Sequence, residues 1–319
     1  MRHLISAAMA LCSVLTCRAQ AQADREIYLA DPTVFTEDGA YYLSGTRPGQ
    51  PEGFTMLESA DLRHWKYHEP DSMALRKGAD VFGSRWFWAP QFFKDEDRYI
   101  LAYTADEQTA IACSGMLTGP YTQDSVHPVD GSAKNIDPFI FKDDDGRYYL
   151  YHVRFRNGNF IWVAELDPGS GHLVPGTLRQ CLECTEDWEN TPAYRSDPIM
   201  EGPSVIKADG IYYLFYSANH YMSPDYAVGY AWARTPYGPW HKNDGNPIIH
   251  RSIVGENGSG HGDIFRGPDG RYWYVYHVHN SDTNVHPRKT RIIPLSMEKK
   301  DGIISFRADT AGKIIPVRR

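Results

Sequence analysis

The chain has 319 residues, 42% of them hydrophobic, enough for one large or two ordinary domains with a sizeable core. Its net charge of −7 and pI near 6.0 exclude the basic footprint of a nucleic-acid-binding protein, and no long basic patch interrupts the sequence. The 21 Tyr, 13 Phe and 8 Trp favour strands and surfaces on which sugar rings stack.

Residues 1–23 read as a secretory signal. Arg2 and His3 form its charged end, Leu4 to Leu15 its apolar core, and Ala19-Gln20-Ala21 a small-residue cleavage site. The apolar core is too short to span a membrane, so the mature chain is expected without a transmembrane segment and exported to the periplasm or beyond. Cys17 offers the alternative of a lipid anchor, but it lacks the usual small residue just before it. Past the cleavage site Cys113, Cys181 and Cys184 remain. One Cys-x-x-Cys lacks the four ligands of a closed zinc site, which leaves a local disulfide or free thiols.

From residue 24 onward one pattern recurs: a short apolar strand, an acidic turn, then an aromatic strand, the signature of a tight hairpin. Asp31-Pro32-Thr33-Val34-Phe35 leads through Glu37-Asp38-Gly39 to Tyr41-Tyr42-Leu43. Ala89-Pro90-Gln91-Phe92-Phe93 leads to Tyr99-Ile100-Leu101, and Asp137-Pro138-Phe139-Ile140-Phe141 to Tyr148-Tyr149-Leu150. Gly202-Pro203-Ser204-Val205-Ile206 leads to Tyr212-Tyr213-Leu214, and His261-Gly262-Asp263-Ile264-Phe265 to Tyr272-Trp273-Tyr274. The period is roughly 50–65 residues, which suggests propeller blades. Five repeats predict an all-β, five-bladed β-propeller over residues 24–319, with four antiparallel strands per blade.

Third and fourth strands are expected after each hairpin. They are Phe54–Ser59 and Asp61–Trp65 in the first blade, Ala110–Cys113 and Thr118–Tyr121 in the second, and Ala227–Trp232 and Tyr237–Trp240 in the fourth. The last blade closes with Arg291–Leu295 and Gly302–Phe306. Residues 167–197, rich in Pro, Gly and acids, read as a long loop between blades, and no segment has helical period, so helices should be few.

Equivalent positions of successive blades ring the axis, so the starts of the innermost strands line one mouth of the channel. These are Asp31, Ala89, Asp137, Gly202 and His261, preceded by Ala30, Trp88, Ile136, Glu201 and Gly260. A lone Asp-Pro most often starts a turn, because the carboxylate bonds nearby backbone N–H groups. Asp167-Pro168 and Asp197-Pro198 fit that reading. Asp31 and Asp137 share a register, and three acids near one axis repel unless a site uses them. Glu201 in Met-Glu-Gly-Pro is not a turn-forming choice. His261 alone would be an ordinary polar residue; on the ring it is a candidate ligand or sugar contact.

This set of residues (Ala30-Asp31-Pro32, Trp88-Ala89-Pro90, Ile136-Asp137-Pro138, Glu201-Gly202-Pro203 and Gly260-His261-Gly262) resembles glycoside hydrolase family 43. Its members are five-bladed propellers that include α-L-arabinofuranosidases, β-xylosidases, arabinanases and galactan-cleaving enzymes. The resemblance implies Asp31 as general base, Glu201 as general acid, and Asp137 as the carboxylate that tunes and orients Glu201. Inverting hydrolysis needs such a pair, one carboxylate to activate water and a protonated acid to support the leaving oxygen. A third carboxylate raises the acid's pKa by like-charge repulsion. The resemblance also implies an arginine beside the base, which Arg288 fits better than Arg291, three positions away on the opposite side of a strand. Trp88 and His261 would contact substrate, and a structural calcium in the channel near His261 is a further implication; no cofactor is required.

Many β-xylosidases of the family carry a second β-sandwich domain, for which this chain ends too early. The usual endo-arabinanase wording is replaced by Tyr151-His152-Val153-Arg154-Phe155. The expectation is therefore an exo-acting, inverting hydrolase of carbohydrate that removes terminal furanosyl units, α-L-arabinofuranosyl first. β-Xylosidase, β-galactofuranosidase and arabinanase are the alternatives within the family. A non-catalytic carbohydrate-binding propeller would not need an acid–base pair, and a protein-interaction propeller would not need the acidic funnel. A related family cleaves fructans with retention, and its surrounding motifs differ.

Overall fold

The computed structural model describes residues 24–49, 51–68 and 73–319; the expected signal segment and Cys17 lie outside the described residues. Five antiparallel sheets follow one another along the chain as the blades of a propeller. The innermost strands are Ala30–Glu37, Trp88–Asp95, Asn135–Lys142, Met200–Ala208 and Gly260–Arg266. Each pairs with the aromatic strand after the acidic turn, as the repeats require.

The outer strands vary more. Blades four and five have four strands each, ending in His241–Lys242 and Ile303–Ala308. Blade two has three, and its fourth is reduced to a bridge between Cys113 and Thr122. In blade one the third strand is only Leu57–Ser59; Gly53–Phe54 leaves the blade to pair with Leu75–Arg76. Residues 167–197 are not a plain loop. They hold two short strands, His172–Leu173 and Arg179–Gln180, both paired with the third strand of blade three, and a 3₁₀ turn at Asp187–Glu189. Asp167 itself accepts the Gly169 N–H at 2.9 Å, a turn cap. One α-helical turn, Arg251–Val254, is the only one among the described residues, and no described helix is long and apolar enough to cross a membrane. Cys113, Cys181 and Cys184 are free thiols.

Blades pack face to face, so their strands are covered on both sides and read as near-continuous apolar and aromatic runs. Ile211–Ala218 is buried at every position. Five separate apolar clusters fill the five blade interfaces, such as Tyr213, Phe215, Tyr274 and Phe306 between blades four and five. The ring is closed on blade one. Val317–Arg318 runs parallel to His64–Tyr67 there, and Arg25–Glu26 pairs with Val317–Arg318. Ile27 meanwhile accepts the Thr290 N–H of blade five.

Every inner strand is broken at the same place. Asp31, Ala89, Asp137, Gly202 and His261 all have φ between +40° and +59°. The strand register slips there in each blade, between Ala30 and Thr33, for example, and between Glu201 and Ser204. A bulge leaves a residue unpaired and re-aims its side chain, and a non-glycine residue in this region costs about 1–3 kcal/mol. Five such bulges turn the five strand starts toward the channel mouth.

The unpaired N–H of each bulge is met by the preceding blade. Ala89 donates to Thr46 Oγ1 at 2.9 Å, Asp137 to Thr104 Oγ1 at 3.0 Å, and His261 to Ser217 Oγ at 2.7 Å. Asp31 donates to His277 Nδ1 at 3.1 Å, which joins blade one to blade five. The acceptors stand at one place in the repeat, five residues after Tyr41, Tyr99, Tyr212 and Tyr272. In blade three that place is Val153, whose side chain has no acceptor. The Gly202 N–H bonds instead to Asp137 Oδ2 at 3.3 Å.

Candidate active site

Above the bulges lies a cavity of about 890 Å³, within the range that holds a drug-sized ligand. Asp31, Trp88, Asp137, Glu201, His261 and Arg288 all line it. The six side chains singled out in the sequence are thus brought together. Arg291 is elsewhere, buried in ion pairs with Glu256 at 2.7 Å and Glu26 at 2.9 Å.

Asp31 is a carboxylate held ionised. Burial pushes its carboxyl up, but Arg288, His261, His277 and the Thr46 hydroxyl together hold it well below the usual carboxylate range. Arg288 stands 3.1 Å from Asp31 Oδ1, and Thr46 donates to Oδ2 at 2.6 Å. Arg288 also lies 3.2 Å from the second ring nitrogen of His277.

Glu201 is the opposite case. Burial lifts its carboxyl, the Tyr226 hydroxyl pulls it back, and the Asp31 charge raises it again, to about 7. Tyr226 donates to Glu201 Oε1 at 2.7 Å and stacks on His277, with ring centroids 5.6 Å apart. Asp137 is raised well above the ordinary range by burial first, then by Glu201 and Asp31. Burial, rather than Asp137, is therefore the first cause at Glu201. Each of these two acids resists ionisation while the other is charged.

His261 sits between the two aspartates, its Nδ1 3.4 Å from Asp31 Oδ1 and 3.8 Å from Asp137 Oδ2. Burial lowers its pKa, so the imidazole is neutral. Its ring explains Gly202. A Cβ there would lie 2.7 Å from His261 Cδ2, so the fourth ring position has no room for a side chain. The acid of blade four comes instead from the residue before, Glu201. Gly260 is fixed in the same way by Tyr226, 2.4 Å from where its Cβ would be. Among the described residues no group of three or more His, Cys, Asp or Glu side chains is arranged to hold an ion.

Thr46 and His277 were not among the residues expected from the sequence, although their shared place in the repeat is a signal that could have found them. Tyr226 has no such signal, since it precedes a third strand and matches nothing in the other blades. An ionised carboxylate that can take a proton now faces the same cavity as a carboxylic acid that can give one. Environments that push paired carboxyls apart mark acid–base chemistry.

The family model for glycosyl hydrolases family 43 matches residues 26–304. The xylosidase/arabinosidase 43B of Humicola insolens is 26% identical over 77% of this chain and 46% of its own length. A β-D-galactofuranosidase of Aspergillus niger is 28% identical over 78% of this chain and 74% of its own. The chain thus spans under half of the first relative and about three quarters of the second. Among solved structures, an endo-1,4-β-xylanase from Bacteroides thetaiotaomicron superposes with a TM-score of 0.84 at 36% identity, covering 93% of this chain and 99% of that one. A thermostable family-43 glycoside hydrolase gives 0.76 at 33% identity, over 88% and 92%.

Proposed function

The chain belongs to glycosyl hydrolase family 43, whose members are inverting glycosidases, and we propose that it removes terminal pentosyl units, α-L-arabinofuranosyl first, from xylan- or arabinan-type saccharides. The observation that carries the reading is the opposed state of two buried carboxyls in one cavity, Asp31 charged and Glu201 neutral up to about pH 7. Glu201 gives its proton to the glycosidic oxygen as the bond to the anomeric carbon breaks. Asp31 takes a proton from the water that attacks that carbon from the other face. The new C–O bond forms opposite the old one, so the anomeric configuration inverts. Arg288 and Thr46 keep Asp31 ionised for this step, and Tyr226 holds Glu201 in place. Asp137, bonded to the Gly202 N–H, stands next to Glu201 and opposes its ionisation. Trp88 offers an aromatic face to the sugar.

The size of the cavity favours a second reading, cleavage inside a chain, in keeping with the endo-xylanase named above. One experiment separates the two. Aryl arabinofuranoside, xyloside, galactofuranoside and galactoside are compared with linear oligosaccharides, and fresh products are followed by proton NMR. We expect the arabinofuranoside to be cleaved fastest and the first product to have inverted configuration. Longer oligosaccharides as sole products would move the assignment to endo action. Retained configuration would overturn Asp31 as base.

A further inference from the structure

We propose that Tyr194, stacked on His220, which in turn stacks on Tyr221, forms an outer subsite that binds the leaving portion of a pentosyl oligosaccharide beyond the scissile bond. The inference rests on Glu201 as proton donor, because the leaving oxygen must lie within hydrogen-bond reach of that residue. The leaving sugar then extends over the wall formed by blade four. Two segments flank Glu201 on that wall. Residues 190–199 run directly into its strand, and His220 and Tyr221 follow the strand in which Ser217 pairs with Glu201.

These segments bring three rings into one row. Tyr194 and His220 stack with centroids 4.6 Å apart and planes 22° from parallel; His220 and Tyr221 stack at 4.7 Å and 26°. Arg288 covers the inner end of the row, its guanidinium 4.8 Å above Tyr221, and His286 meets Tyr221 edge-on at 5.9 Å. Nothing comparable covers the outer end: among the described residues no aromatic ring or cation faces the second side of Tyr194. The row therefore starts at the arginine that holds Asp31 and ends at Tyr194, a half-buried ring just outside the lining of the catalytic cavity.

The row is built, not incidental. His220 Nδ1 accepts the Met222 N–H at 3.1 Å, and the Tyr194 hydroxyl points at Met222 Sδ, 3.5 Å away. Burial and Arg288 keep the His220 ring neutral, so it stacks without a charge to solvate. His220 and Tyr221 line the catalytic cavity, which also reaches Phe155, a phenylalanine 42% exposed. Large aromatic groups continuous with a catalytic cavity suit the apolar faces of pyranose or furanose rings, with hydroxyls left to bond at the edges.

The test compares Tyr194→Ala and Tyr194→Phe on a linear pentosyl trisaccharide and on the matching 4-nitrophenyl monoglycoside, which carries no sugar beyond the scissile bond. Removing one stacked ring should raise KM for the trisaccharide about tenfold with kcat unchanged. The monoglycoside should change less than twofold, and Tyr194→Phe should behave as the parent. Equal losses on both substrates, or no change in KM for the trisaccharide, would overturn the subsite. Calorimetric titration of the trisaccharide into Glu201→Gln protein, with and without Tyr194→Ala, reads the same contact without turnover. A tenfold weaker affinity supports the subsite even if the assigned reaction fails, and equal affinities sink it.

Discussion

Acidic side chains stand at both ends of the inner strands, and those at the far end of the first three are treated in the opposite way to Asp137 and Glu201 at the mouth. At the far end of blades one, two and three an acid closes a clasp to the next blade. Glu37 accepts from Lys94 and from the Tyr99 hydroxyl at 2.8 Å. Asp95 does so from Lys142 at 3.0 Å and from Tyr148, and Asp143 from Lys207 and Tyr212. Burial acts against Asp95 and Asp143, yet these donors hold both carboxyls below their ordinary range. At the mouth, Asp137 and Glu201 have no cation of their own and are held above it. The repeats agree where the acids stabilise the ring and disagree where they face the cavity. Paired, hydrogen-bonded carboxylates favour folding, whereas acids kept neutral by burial are a cost that a site accepts for chemistry.

The largest effect should come from the mouth. Glu201→Gln should slow hydrolysis of natural saccharides by ~10²–10⁴-fold, the usual worth of general acid help. Aryl glycosides with good leaving groups should lose less, and equal losses would assign Glu201 another role. The same variant reads the cost. Between the ordinary 4.5 and about 7, folded Glu201 keeps a proton that the unfolded chain has lost, so its contribution to stability falls as pH rises through that window. Glutamine removes the penalty. The variant should be more stable than the parent at pH 8 by about 1–3 kcal/mol, measured by urea unfolding.

The far end should give the reverse. Asp143→Ala strips the shared acceptor from Lys207 and Tyr212, at a cost of about 1–3 kcal/mol in urea unfolding. Activity per folded molecule should not change. The sign with pH also reverses: a depressed carboxyl stabilises above its ordinary range and loses that contribution as pH falls, so the variant should show a flatter acid-side decline. A loss of kcat comparable to that of an Asp31 variant would erase the distinction between the two ends.

The repeated hairpins made the blade count and the ring of five strand starts readable from sequence, because turn chemistry and aromatic strands are local. The shared bulge was not readable as such, although its consequence, one register for Asp31, Asp137 and His261, was. The outer strands were read less well. Phe54 looks like the start of a third strand but pairs with Leu75 instead, since a long excursion brings Leu75 back beside it. The apparent loop at 167–197 orders itself around Glu189, fully buried and bonded to Tyr216 at 2.7 Å and Lys242 at 2.6 Å, partners 27 and 53 residues away. Tyr226 escaped for the same reason: its bond to Glu201 depends on tertiary placement that no spacing encodes.

Val153 gives the finest test of how the mouth departs from its own repeat. Blades one, two and four place a hydroxyl at this position and satisfy the next bulge with it, while blade three leaves the Gly202 N–H to Asp137. Val153→Thr would return the missing hydroxyl to the position that Thr46 and Thr104 hold in their blades. If it takes over the Gly202 N–H, Asp137 loses a bond that favours its charged form, and its carboxyl rises further. A more neutral Asp137 repels the Glu201 anion less, so Glu201 gives up its proton at lower pH. The alkaline limb of the pH–rate profile should therefore move down by less than about one unit, with kcat reduced only a few-fold. Asp137→Asn removes the charge altogether and sets the limit of that movement in the same direction. If the limb stays in place in both variants while the rate drops, Asp137 only positions its neighbour, and the burial of Glu201 alone keeps the acid protonated.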